Sequence, residues 1–193
     1  MTVKLNELLS QFQNAGSDLF QRGLITSHGG NMSVRRGDRL IITVSGARLS
    51  RLGADDLVET GIYADDESTA LASTELPVHR AIYQQTAAIA VVHAHPAHAI
   101  ALSFVDREIV PIDTEGAYHL DRVPVLGWGR RLFSGELADD IAQALVEHHA
   151  AMAYGHGSFA IGRDLDEAHH YTSTLEESCR IIYMVRQLKG MSK

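Results

Sequence analysis

The sequence predicts an α/β domain in which helices and strands form stacked layers. Three observations carry that expectation. Segments with helical apolar spacing alternate along the chain with short β-type apolar runs, so the two element types interleave. Apolar residues make up 45% and charged residues 21% of the 193 residues, close to the average for soluble globular chains. No Pro/Gly/Ser-rich linker, repeat or low-complexity segment divides the sequence, so a single domain over residues 1–193 is expected.

The elements follow in order. Leu5, Leu8, Leu9, Phe12, Ala15, Leu19 and Phe20 recur at steps of three and four, which predicts a helix over 5–20 that stops near Gly23. Thr26 to Asn31 reads as a loop. Two strands, 33–35 and 39–44, flank a turn at Arg36-Gly37-Asp38, and a further strand is expected over 57–63. A helix over 75–84 is entered through Ser73 and Thr74 as caps, with Pro77 in the first turn where proline is tolerated. The apolar run 88–94 predicts a buried strand, and 97–103 a short helix. Strands at 110–112 and 123–126, a helix at 135–148, and strands at 150–154 and 158–162 around Gly155-His156-Gly157 complete the middle of the chain. The last helix is marked by Leu165, Ala168, Thr172, Leu175, Cys179 and Ile182.

Charge and special residues bound the function. Seventeen Lys+Arg stand against 24 Asp+Glu, a formal charge of −7, which argues against a surface built for nucleic acid. No apolar run is long enough to span a membrane, and the N-terminus does not read as a secretory signal. Cys179 is the sole cysteine, which agrees with a reducing compartment, so the cytoplasm is expected. The eleven histidines are the unusual feature and raise the question of a metal.

Val91-Val92-His93-Ala94-His95-Pro96 addresses that question. On a strand, residues two apart share a face, so His93 and His95 would present two imidazoles to one point. A divalent metal of borderline softness uses such a pair with at least one more ligand. His156 stands between two glycines that let the backbone approach a site, and is the third candidate; a turn with an incidental histidine is the plain alternative. Glu75 follows Ser73 and Thr74. Its plain role is to complement a helix dipole, and its chemical role would be a general base or a displaceable metal ligand. Gly30-Asn31-Met32-Ser33 and Thr43-Val44-Ser45-Gly46 offer backbone N–H groups and small polar side chains of the kind that cradle phosphate, although ordinary turns use the same residues.

Taken together, Gly30 to Arg35, Val44-Ser45-Gly46, Ser73-Thr74-Glu75, Val91 to Pro96 and Gly155-His156-Gly157 resemble, in order and spacing, the class II aldolase/adducin family along nearly the whole chain. The resemblance implies a three-layer α/β/α domain with a central mixed, largely antiparallel sheet. It implies that His93, His95, His156 and, before substrate binds, Glu75 hold one zinc or other divalent ion per chain. Glu75 would be the acid/base residue, and Gly30, Asn31, Ser45, Gly46, Ser73 and Thr74 would hold a substrate phosphate. The implied activity is aldol cleavage of a phosphorylated ketose of the fuculose- or ribulose-1-phosphate type to dihydroxyacetone phosphate and an aldehyde, with the metal as Lewis acid on the enediolate. A homotetramer with sites between subunits is implied as well.

Relatives within the family imply two alternative reactions, a methylthioribulose-1-phosphate dehydratase or a sugar-acid phosphate decarboxylase. An adducin-like interaction module is the non-enzymatic alternative, and the presence of all three histidines and Glu75 speaks against it. The pattern departs at two places. The family's aldehyde-side tyrosine aligns with Thr114, and Tyr118 lies nearby but out of register, with Asp113, Glu115 and His119 as other candidates for a second acid. Those aldolases also carry a second functional tyrosine in a tail beyond the last helix. Other histidines take plain readings: His98 near the site or in the core, His28 in a solvated loop with contact to substrate as the alternative, and His148, His149, His169 and His170 on polar helix faces. Trp128 is expected in packing or an interface, and Arg130 and Arg131 at the surface or facing a neighbouring subunit.

Overall fold

A computed structural model describes residues 2–128 and 135–191. Helix α1 (Thr2–Gln21) leads through a loop into strands β1 (Asn31–Arg36), β2 (Arg39–Thr43) and β3 (Leu57–Gly61). Helix α2 (Leu76–Gln85), strand β4 (Ala90–Ala94), helix α3 (Ala97–Ser103), strand β5 (Glu108–Ile109) and helix α4 (Thr114–His119) follow. Strand β6 (Val123–Leu126), helix α5 (Gly135–Ala144), strands β7 (Ala150–Ala153) and β8 (Gly157–Gly162), and the long helix α6 (Leu165–Met191) complete the order.

The eight strands form one sheet in the order β3-β2-β1-β4-β8-β7-β6-β5. Every pairing is antiparallel except β6 with β7. Alternation along the central strands sorts side chains onto two faces. Val91 joins Leu40, Ile42, Ala151 and Phe159 beneath α2 and α5. Met32, Val34, Ile41, Ala90 and Val92 pack on the other face against α1 and the start of α6. Ala150, Met152, Ala160, Val123 and Val125 meet α3 and the middle of α6 on that same side. The result is the expected three-layer α/β/α arrangement with a mixed, largely antiparallel sheet. Among the described residues no helix is long and apolar enough to cross a membrane.

Several local expectations are corrected. The strand at 110–112 does not form: β5 ends at Ile109, paired with Val123, and Pro111 has no N–H to extend the ladder. The strand at 57–63 stops at Gly61, and Tyr63 projects into solvent. Helix α5 ends at Ala144 and a turn follows over 145–147, so His148 and His149 lie in the link to β7, and His149 stacks on Tyr171 at 4.3 Å. His169 is buried on α6 rather than solvated. Phe20, assigned to the apolar stripe of α1, is exposed. Trp128 packs on Tyr154 and under the Arg107 guanidinium. Arg130 and Arg131 lie outside the described residues.

Candidate active site

One end of the sheet collects the chemistry. His93 lies near the end of β4, opposite Asn31 on β1 and Phe159 on β8. His95 sits just past β4, where its backbone N–H donates to the Leu24 carbonyl. His156 occupies the turn between β7 and β8. The strand period therefore does aim His93 and His95 at one point, and the two Nε2 atoms are 2.9 Å apart. A ligand atom from each of His93, His95 and His156 lies within 4.8 Å of the others. His93 Nδ1–H donates to the Ser158 carbonyl at 3.0 Å, which leaves Nε2 bare and directed into the cluster.

Glycines make room for this packing. A Cβ on Gly157 would press on the Ala94 carbonyl, lie 2.7 Å from His95 Cδ2 and lie 2.9 Å from His93 Cε1. Gly30 has φ +79°, and a Cβ there would come within 2.8 Å of the His93 carbonyl oxygen.

Glu75 stands at the N-cap position of α2 but makes no side-chain cap bond. The plain dipole-and-cap role is therefore not where its side chain goes. The expected caps are also corrected: Ser73 Oγ accepts from the Glu75 N–H at 3.3 Å, and neither Ser73 nor Thr74 occupies the cap position. The Glu75 carboxylate is 5% exposed. Its Oε1 accepts from His156 Nε2 at 2.7 Å and its Oε2 from Asn31 Nδ2 at 2.9 Å, while His93 Nε2 lies 3.1 Å from Oε2. Burial raises this carboxyl, but the hydrogen bonds from His156 and Asn31 act the other way and help to hold it well below the usual carboxylate range. Burial pushes His93 down to about 3 and lowers His95 as well, which keeps both imidazoles neutral, the form that binds metals.

These groups line a cavity of about 160 Å³. All six residues singled out for phosphate, Gly30, Asn31, Ser45, Gly46, Ser73 and Thr74, line the same cavity as Glu75 and the three histidines. The loop carrying Ser45 and Gly46 is tied to the segment before α2 by bonds from Ser45 N–H to the Leu71 carbonyl and from Ser73 N–H to the Thr43 carbonyl. Ser45 thus has its hydroxyl left for an anion, not its N–H. Gly46 has φ +74°, in the left-handed region, on the open rim.

His28 is exposed in its loop, as expected, and also lines the cavity. Its Nε2 accepts from Arg48 Nε at 3.0 Å, which brings a guanidinium to the rim. Sequence reasoning missed Arg48, although it follows the Val44-Ser45-Gly46 motif by two residues. His98 lies apart from the cavity and pairs with Glu176 at 2.7 Å.

The second-acid candidates do not join the cavity within this chain. Tyr118 is 83% exposed and lines a separate groove with His119, Asp121 and Arg122. Asp113 caps α4 by accepting the Gly116 N–H at 2.7 Å, and Glu115 pairs with His119 at 3.2 Å.

Comparisons with known proteins place the chain in a family. The chain matches the class II aldolase and adducin N-terminal domain over residues 10–183. This chain belongs to the class II aldolase and adducin family. It is similar to the crystal structure of L-fuculose-1-phosphate aldolase from Thermus thermophilus, with 41% identity and a TM-score of 0.88 over 95% of this chain and 96% of that one. It is 28% identical over 185 residues to an L-fuculose phosphate aldolase of Methanococcus maripaludis, spanning 94% of this chain and 99% of that protein. It is also 28% identical over 181 residues to a 3-oxo-tetronate 4-phosphate decarboxylase of Pectobacterium atrosepticum, spanning 90% of this chain and 83% of that one. The chain is thus an aldolase-type lyase by family. Class II aldolases are metal-dependent, and the three-histidine cluster is a donor set able to hold a metal.

Proposed function

We propose that this chain is a zinc-dependent aldolase that cleaves a phosphorylated ketose, of the fuculose- or ribulose-1-phosphate type, to dihydroxyacetone phosphate and an aldehyde. The observation that carries the reading is the contact between the buried Glu75 carboxylate and the imidazoles of His156 and His93, at 2.7 and 3.1 Å. His93, His95 and His156 would hold the ion, with Glu75 as a further ligand until substrate arrives, and three imidazoles with an open position suit zinc. When bound, the ion supplies Lewis acidity to the oxygens of the substrate's reacting end.

The chain's own residues do the rest. Ser45, Gly46, Ser73, Thr74, Gly30 and Asn31 receive the phosphate with hydroxyl, amide and backbone donors, and remote phosphate binding aligns the reacting bond over Glu75. In the condensation direction the Glu75 carboxylate takes a proton from the hydroxymethyl carbon of dihydroxyacetone phosphate. In cleavage the carbon–carbon bond breaks, its electron pair stays on the donor carbon, and Glu75 returns the proton there. The aldehyde-side hydroxyl gives its proton to a separate group. Tyr118 remains the proposed partner for that step, reaching a site from a neighbouring subunit rather than from its own chain. A homotetramer would accommodate this, and Phe104 and Val105 just past α3, with Tyr183 and Met184 on α6, are exposed for such contacts. Cytoplasmic location remains part of the proposal.

The decarboxylase relative, as similar by identity as the archaeal aldolase, supports a second reading in which the same base and donor set act as a decarboxylase of a sugar-acid phosphate or as a dehydratase. The deciding experiment incubates metal-loaded protein with phosphorylated ketoses and sugar acids and reads aldehyde, carbon dioxide and dehydrated product separately. Release of dihydroxyacetone phosphate with an aldehyde supports the first reading; carbon dioxide or a dehydrated product without aldehyde replaces it with the second.

A further inference from the structure

Behind Glu75 lies a set of polar groups, of which His79 and Tyr83 had no role assigned from the sequence. On α2 and its cap, Glu75, His79 and Tyr83 are spaced by four and share one side of the helix. On β1, Asn31 and Ser33 are spaced by two and share the face beneath that helix. The two rows interlock. Asn31 Nδ2 meets Glu75 Oε2 at 2.9 Å, and Asn31 Oδ1 meets His79 Nε2 at 2.6 Å. His79 Nδ1 meets Ser33 Oγ at 2.6 Å, and Ser33 Oγ meets Tyr83 OH at 2.7 Å. All five residues are buried, and His79, Ser33 and Tyr83 are fully so.

The bonds have only one consistent direction. A carboxylate only accepts, so Asn31 turns its NH2 group to Glu75 and its oxygen to His79. That oxygen requires His79 to donate from Nε2, which leaves Nδ1 bare in a neutral ring. Nδ1 then accepts from the Ser33 hydroxyl, and Ser33 Oγ accepts from the Tyr83 hydroxyl. Burial drives the Tyr83 phenol upward, so it keeps the proton it donates. Burial likewise pushes His79 down to about 4, in line with a neutral ring. Flipping the Asn31 amide would set its oxygen against the carboxylate and an NH2 group against an N–H.

We propose that Tyr83, Ser33 and His79 form a one-way hydrogen-bond chain that acts through Asn31 to fix the Glu75 carboxylate, making His79 a positioning residue for the base. The proposal rests on the reading of Glu75 as the base. The chain ends on Oε2, while Oε1 faces His156. It also gives the Asn31 side chain a role besides phosphate binding: one of its N–H groups is committed to the carboxylate.

The test uses metal-loaded protein and two independent measurements. In protein labelled with 15N at histidine, ring NMR should find His79 protonated at Nε2 with a bare, hydrogen-bonded Nδ1. The opposite tautomer overturns the chain whatever the enzyme's reaction is. For function, proton exchange at the hydroxymethyl carbon of dihydroxyacetone phosphate is followed in H79L, H79Q and Y83F. In H79L, kcat should fall about 10- to 100-fold while KM and metal content stay within about two-fold. In H79Q, whose amide both donates and accepts, kcat should recover to within about five-fold of the parent. Y83F removes one oxygen at the far end and should lower kcat by about three-fold or more with the fold intact. Unchanged kcat in folded, metal-loaded H79L and Y83F overturns the positioning role, as does a loss that only tracks metal content or circular dichroism. A parent enzyme that exchanges no proton overturns the base reading and the positioning role together. The tautomer then still reports whether the chain runs in this direction.

Discussion

Acid should destabilise this protein through His79 well before most carboxylates titrate. The imidazole is fully buried among Asn31, Ser33, Tyr83 and the edge of Phe159. Burial lowers its pKa from 6.5 to about 4, opposed in part by the Glu75 carboxylate. The sign follows from which state holds the proton. Above pH 6.5 both folded and unfolded chains keep the ring neutral and nothing is lost. Between 6.5 and about 4 the unfolded chain binds a proton that the folded chain refuses, so stability drops as pH falls. At about 1.4 kcal/mol for each pH unit, that window withdraws on the order of 3 kcal/mol by pH 4. This is a large share of the roughly 5–15 kcal/mol that holds a domain together. His93 is depressed to about 3 by burial and contributes with the same sign, so the comparison must isolate His79. H79Q does so, because glutamine preserves a donor and an acceptor and does not titrate. Urea midpoints of both proteins, measured in the presence of a chelator at pH 7, 5.5 and 4, should converge as pH falls, with the parent losing on the order of 3 kcal/mol more than H79Q. Parallel losses in the two proteins would refute the reasoning.

Three further outcomes are expected. E75Q should bind inorganic phosphate as the parent does but lose donor-proton exchange by about 10²- to 10⁴-fold, read by deuterium incorporation into dihydroxyacetone phosphate. G157A should weaken metal affinity by about ten-fold or more, because the added methyl pushes on the rings of His93 and His95; competition with a chromophoric chelator measures this. R48A should weaken phosphate affinity by about two- to five-fold without changing metal content, since the guanidinium is exposed and reaches the cavity through His28. Isothermal titration with inorganic phosphate is the assay.

Much of this site could be read from local spacing. The two-residue period of a strand placed His93 and His95 on one face, and the glycines around His156 marked a close approach. Gly30-Asn31 and Ser45-Gly46 stood out as segments offering backbone N–H groups and small polar side chains, and the structure puts both on the cavity wall, with Gly30 and Gly46 in the left-handed region. Where local signals failed, competing structure explains it. Val110 and Ile112 have the composition of a strand, but Pro111 interrupts the ladder. Asp113 and Glu115 had the chemistry of an acid, but one caps α4 and the other pairs with His119.

The helix expected over 75–84 already implies by its spacing that Glu75, His79 and Tyr83 share a side, but Asn31 was expected in a loop, and only the structure starts β1 at Asn31 and sets it on the face of Ser33. Local periodicity carries no information about which face meets which. Only the tertiary structure brought His156 to Glu75 across 81 positions and laid the α2 row against the β1 row. The reason is physical. Burial leaves His79, Ser33 and Tyr83 no water to bond with, so each must find its partner in the facing element, and that requirement orients the carboxylate through Asn31.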